Sequence, residues 1–221
     1  MTEQAAVPPR DGLAPFCVLL GPDHAGKSSV MTRLRGLAPA WRLISDDDGF
    51  LAPEHTLLRR LRRDVVTDVA RHESAWSPQF LTAMLHTAIV HLHDRLARDA
   101  SGAPAVVDSY YYKYLAKCLL SGAPEEPLPT WWRALPRPRR VIYLDVSPEA
   151  AWERARRGAA LNPLEYYGEH PTWEGFKRYQ TDLAKVMADE IQDLPVTVIE
   201  AENCLTRVVG EIREVLEHEL G

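Results

Sequence analysis

The segment from Phe16 to Leu34 constrains this chain more than any other. Five apolar residues, Phe16-Cys17-Val18-Leu19-Leu20, run directly into Gly21-Pro22-Asp23-His24-Ala25-Gly26-Lys27-Ser28, after which Val30 and Leu34 recur at helical spacing. A strand that ends in Gly-x-x-x-x-Gly-Lys-Ser and opens a helix near Lys27 builds an anion cradle. The glycines let the backbone wrap around a phosphate, the loop amides and the helix N-terminus face the anion, Lys27 neutralises β/γ oxygens, and the Ser28 hydroxyl suits a Mg²⁺ ion.

The rest of the chain alternates strands with helices. Apolar or β-branched runs lie at Arg42–Ser45, Ala105–Val107, Val141–Val146 and Val196–Ile199. Between them, Leu57/Leu58, Leu61, Val65 and Val69 are spaced for a helix with arginines opposite, and Ser147-Pro148-Glu149 supplies an N-cap, a first-turn proline and an acid. This order predicts an α/β, three-layer P-loop NTPase fold, with a parallel five-stranded sheet flanked by helices. Residues 1–14 are expected to form an unstructured tail and residues 15–221 one domain. The five prolines between 122 and 138 are expected to preclude regular structure there.

Charge and cysteine usage exclude several classes. The net charge of −5, from 31 acidic against 26 basic residues in 221, provides no general positive field for nucleic acid. Cys17, Cys118 and Cys204 have no metal or redox spacing and fit a reducing cytoplasm. No stretch approaches the length of a membrane span. A small-molecule partner is therefore expected. No Asn-Lys-x-Asp guanine motif and no acidic pair closing an apolar strand supports a nucleotide switch or ATPase.

The loop interior, Gly-x-Asp-x-Ala-Gly-Lys-Ser, resembles that of thymidylate kinases, in which the third-position aspartate, here Asp23, faces the acceptor sugar. Val106-Val107-Asp108-Ser109-Tyr110 is similar to that family's Asp-Arg-Tyr signature with the arginine missing. Glu153-Arg154-Ala155-Arg156-Arg157-Gly158 resembles its arginine-bearing lid, placed around 154–172, and Ile199-Glu200-Ala201-Glu202-Asn203 its adenine-edge loop. The resemblance implies an ATP-dependent, Mg²⁺-assisted phosphotransferase. Nucleotide contacts would come from Gly21, Asp23, His24, Ala25, Gly26, Lys27, Ser28, Ser29, Ala201 and Glu202. Ser28 and Asp108 would serve the metal, and Arg154, Arg156 and Arg157 the developing charge. The family usually dimerises, which leaves a homodimer open here.

The acceptor side departs from that pattern. The family's three phosphate-binding arginines are replaced, one by Ser109, one by Thr87 on a gap-free count, and one by the run Ser45-Asp46-Asp47-Asp48. Three adjacent aspartates repel a dianion and suit a hydroxyl, with Asp46 or Asp47 as proton acceptor. Asp23 and Asp108 remain alternative bases. The expected acceptor is thus a hydroxyl of a nucleoside or another metabolite, with thymidylate as the alternative. Arg59 or Arg60 would be the replacement phosphate ligand in that second case. Ala83 falls where the family stacks an aromatic ring, with Phe80 or Trp76 a turn away, and the tyrosines at 110–112, 166 and 167 are open to either packing or pocket roles.

Overall fold

The structure, a computed structural model, describes residues 13–37, 40–71, 75–98 and 102–221. The expected tail lies almost wholly outside the described residues. Five strands, β1 (Phe16–Leu20), β2 (Arg42–Ile44), β3 (Ala105–Asp108), β4 (Arg140–Asp145) and β5 (Val196–Glu200), pair in the order β2-β3-β1-β4-β5, all parallel. β1 is buried throughout because it lies at the centre with helices on both faces. Alternation along it separates the two cores. Val18 and Leu20 pack with Leu92, Leu115 and Leu183 on one face, and Cys17 and Leu19 with Leu34, Ile212 and Leu216 on the other.

Eight helices complete the layers among the described residues: α1 (Lys27–Leu37), α2 (Thr56–Asp64), α3 (Pro78–Ala97), α4 (Tyr112–Leu120), α5 (Leu128–Arg133), α6 (Pro148–Arg154), α7 (Trp173–Ile191) and α8 (Leu205–Leu220). α1 begins at Lys27 as its sequence predicts, and Ser147 caps α6 by accepting from the Ala150 amide. α2 turns Leu58 inward and leaves Leu57 59% exposed, so Leu58 leads the apolar stripe. It runs on through a π turn at Val65–Val69.

One expectation fails. Between residues 122 and 138 the chain forms α5 despite its prolines, because Pro129 occupies the first turn, where no amide partner is required, and Trp132 is fully buried against the core. The strand order reverses beside β1, and a crevice forms beyond the strand C-termini at such a switch point. The phosphate loop opens into that crevice.

Candidate active site

The loop between β1 and α1 requires both of its glycines. Gly21 has φ 152°, and a Cβ there would lie 2.7 Å from the Leu144 carbonyl oxygen; Gly26 has φ 98°. His24, between them, also adopts a left-handed conformation, with φ 60°. The loop thereby turns its backbone toward a cavity of about 700 Å³ that contains Asp23, Ala25, Ser28 and Ser29 in its wall. Lys27 is buried and folds back onto the loop, donating to the carbonyls of Gly21 and Pro22, both at 2.9 Å. Burial and the neighbouring Lys113 depress its pKa. An ammonium so destabilised gains from an incoming phosphate more than one in water.

The acids converge at the tips of β2 and β3. Asp108 is buried and accepts from the hydroxyls of Ser45 (3.0 Å) and Ser109 (2.8 Å). It caps no helix, since α4 begins only at Tyr112. Burial raises its pKa, Lys27 offsets part of the rise, and Asp47 and Asp46 add to it. Ser28 donates to Asp47 at 2.5 Å, which places Asp47 beside the hydroxyl that would hold a metal. Burial would raise the Asp47 carboxyl, but Arg62 and Ser28 outweigh it and hold the group below its usual range. Asp46 is buried and accepts from the Tyr114 hydroxyl at 2.6 Å.

Mg²⁺ takes oxygen ligands and keeps several waters. The Ser28 hydroxyl with the carboxylates of Asp47 and Asp108 forms a donor set of that kind, and the mutual repulsion of these acids is what a cation relieves. Among the described residues, no three or more Asp, Glu, His or Cys side chains form a preassembled cage. An ion held partly by phosphate oxygens needs none.

The replacement cation on α2 differs from the one expected. Arg62 ion-pairs with Asp47, approaches Asp46 at 3.8 Å and donates to the Asp46 carbonyl at 2.9 Å. Arg60 is exposed, and Arg59 pairs with Asp48 away from the cavity wall. The three acids are therefore not a bare repulsive rim. Helical phase decides this, since Arg62, though half exposed, follows Leu58 by four residues and reaches the cavity from the same side, whereas Arg59 and Arg60 are absent from its wall.

Two lysines that the sequence reading passed over stand at the floor. Lys113 and Lys117, one turn apart on α4, meet Asp23 at 2.5 Å and 3.2 Å. Lys117 also donates to the Leu164 carbonyl. From α7, Gln180 accepts from the Asp23 amide at 3.0 Å, and its own amide donates to the Asp23 carboxylate at 3.3 Å and to the Glu165 carbonyl. Burial would raise the Asp23 carboxyl, but Lys113, Lys117 and Lys27 hold it far below the usual range. The available sequence signal was two lysines at i, i+4 among the otherwise buried Tyr112, Leu115, Ala116 and Cys118.

The three arginines at the end of α6 do not act alike. Arg154 lines the cavity and donates to the carbonyls of His24, Ala25 and Ala201, tying the phosphate loop to the segment after β5. Arg156 and Arg157 are exposed and absent from the wall, and Arg157 pairs with Glu153. Both have left-handed φ values, 52° and 53°, which cost a residue with a Cβ about 1–2 kcal/mol each. Ser109 and Tyr110, beside Asp108, share this conformation. Ala201 lines the cavity with Asn203, Leu205 and Val208, whereas Glu202 faces away and accepts from the Ser147 amide at 2.9 Å.

The acceptor half has an aliphatic wall of Leu58, Leu61, Val65, Val66, Met84 and Leu85. Trp76 and Phe80 stack on each other, with centroids 4.4 Å apart, and do not reach it. Tyr110, Tyr111 and Tyr112 pack in the core, and Tyr114 is the tyrosine of this helix that faces the cavity.

Comparison with solved structures decides what this framework is. The chain superposes on deoxyadenosine kinase from M. mycoides with products dCMP and a flexible dCDP bound, with a TM-score of 0.58 and 12% identity, covering 92% of this chain and 98% of that one. The same enzyme with bound dATP gives 0.57 and 14%, covering 92% and 99%. The chain shares the fold of that deoxyadenosine kinase. In sequence it is 29% identical over 118 residues to a probable thymidylate kinase from Archaeoglobus fulgidus, a match over 53% of this chain and 55% of the relative's length. No protein-family model matches it. Among the described residues no helix is long and apolar enough to cross a membrane.

Proposed function

We propose that the chain is a kinase that transfers the γ-phosphoryl group of ATP to a hydroxyl of a small acceptor, a nucleoside or a related metabolite. The observation that carries this reading is the single cavity running from the phosphate loop to the aliphatic wall, with Asp46, Asp47 and Asp108 gathered between. In the transfer, the acceptor oxygen forms a bond to the γ-phosphorus, the bond from that phosphorus to the β,γ-bridging oxygen breaks, and ADP departs. The hydroxyl proton passes to a carboxylate, for which the buried Asp46 is the candidate on the acceptor side, since Asp23 is already held by Lys113 and Lys117.

Loop amides and Lys27 hold the β and γ phosphates, and Ser28, Asp47 and Asp108 suit a Mg²⁺ ion that neutralises developing charge. Arg154 holds the loop in register with the nucleotide-edge segment at Ala201. Catalysis here is positioning and charge stabilisation, since phosphoryl transfer demands little else of the protein.

A second reading is favoured by Arg62, Lys113 and Lys117, which restore to the acceptor half the positive charge removed with the family's arginines. They suit an acceptor monophosphate such as thymidylate. The deciding experiment measures ADP release with and without nucleosides, nucleoside monophosphates and other hydroxyl-bearing metabolites, and confirms the product by mass. Dependence on an acceptor supports the kinase reading. Equal ADP release without any acceptor means that the protein is an ATPase.

A further inference from the structure

We infer that Lys113 is a catalytic residue that binds the transferring γ-phosphoryl group alongside Lys27, resting on Asp23 until nucleotide arrives. This inference rests on the kinase reading above.

Asp23 is over-supplied with donors. Its carboxylate receives Lys113, Lys117 and the Gln180 amide, and its backbone amide is fixed by the Gln180 carbonyl oxygen. Withdrawing Lys113 leaves Asp23 with a cation and an amide donor, so the pairing is not needed to satisfy a buried charge. Lys117 is held by a second partner, the Leu164 carbonyl, whereas among the described residues the Lys113 ammonium is ion-paired with Asp23 alone.

Lys113 pairs with Asp23, and the carbonyl of the preceding residue, Pro22, receives Lys27, so the two ammoniums are held at successive positions of one loop. Lys27 meets only loop carbonyls at hydrogen-bond distance. Two ammoniums largely withdrawn from water beside a phosphate loop, Lys27 buried and Lys113 partly so, are relieved by an oxyanion that reaches both. Lys27 belongs to the loop that cradles the β and γ phosphates, and both lysines line the cavity. The oxyanion that reaches both is the terminal phosphate. Ser28 and Asp108 approach it from the metal side and Lys113 from the side of Asp23. A phosphate could also come from an acceptor monophosphate, and the test separates the two sources.

The test is calorimetric titration of the full chain with Mg·β,γ-imido-ATP, Mg·ADP, and thymidylate in the presence of ADP. Lys113→Met should weaken the triphosphate analogue at least about tenfold while ADP stays within about twofold, and Lys113→Arg should recover most of the loss. Retained ADP affinity shows that the variant is folded. As an independent variant, Asp23→Asn frees Lys113 and should tighten the triphosphate relative to ADP by roughly threefold. Equal effects of Lys113→Met on both nucleotides, or none, overturn the inference. So does a selective loss of thymidylate binding, which assigns Lys113 to the acceptor. Failure of the unmodified protein to bind either nucleotide refutes the kinase reading itself.

Discussion

The two halves of the cavity are built in opposite ways. The donor half comes from one contiguous stretch, Gly21 to Ser29, and its recognition groups are largely backbone amides fixed by two glycines and a helix N-terminus. The acceptor half takes side chains from the turn after β2 and from α2, α3 and α4, and its polar groups are matched across elements: Asp47 with Arg62, and Asp46 with Tyr114. A backbone cradle recognises any polyphosphate. In the proposed kinase, acceptor specificity would reside in this network of side chains.

The largest expected effect tests the donor half. Lys27→Ala should reduce phosphoryl transfer by at least about a hundredfold with an unchanged thermal melt, because the loop lysine stabilises the transition state. Turnover like that of the unmodified protein would remove the loop from the mechanism. Next, Asp46→Asn and Asp47→Asn should separate the two corners. Both should lower kcat, by roughly tenfold or more, but only Asp47→Asn should raise the Mg²⁺ concentration needed for half-maximal rate. If both respond to Mg²⁺ alike, Asp46 belongs to the metal corner.

A smaller effect distinguishes the arginines of α2. Arg62→Ala leaves Asp47 and Asp46 uncompensated and should raise the acceptor KM by about tenfold, whereas Arg60→Ala should change it less than about twofold. The same variant has an acid signature. The depressed Asp47 carboxyl contributes stability that is present above its unfolded value and lost as pH falls through the folded one. Removing Arg62 should therefore flatten the loss of melting temperature below about pH 4. An unchanged slope would mean that Arg62 does not hold Asp47.

The smallest effects concern the end of α6. Arg154→Ala should weaken nucleotide binding several-fold, on the order of the loss of one to two hydrogen bonds. Arg157→Ala should leave ADP affinity within about twofold, since its ion pair with Glu153 is exposed. A drop in kcat above about tenfold for Arg156→Ala or Arg157→Ala would show that these residues swing into the cavity during turnover.

By itself, the sequence determined the donor half and the layering. The glycines, lysine and serine of the loop lie within eight residues of one another, and a strand buried on both faces declares itself as an unbroken apolar run, as Phe16–Leu20 does. Asp108 was legible because a strand's C-terminal end is where a parallel sheet presents side chains. The acceptor half was decided by tertiary structure. Helical phase chose Arg62 over Arg59 and Arg60, and Leu58 over Leu57. Pairing across 90 and 157 residues joined Lys113 and Gln180 to Asp23, and no local pattern encodes such contacts. The same holds for Trp132, whose burial draws a proline-rich connection into a helix. A short motif fixes its own backbone, but the partner of a buried charge is fixed only when distant segments are brought into contact.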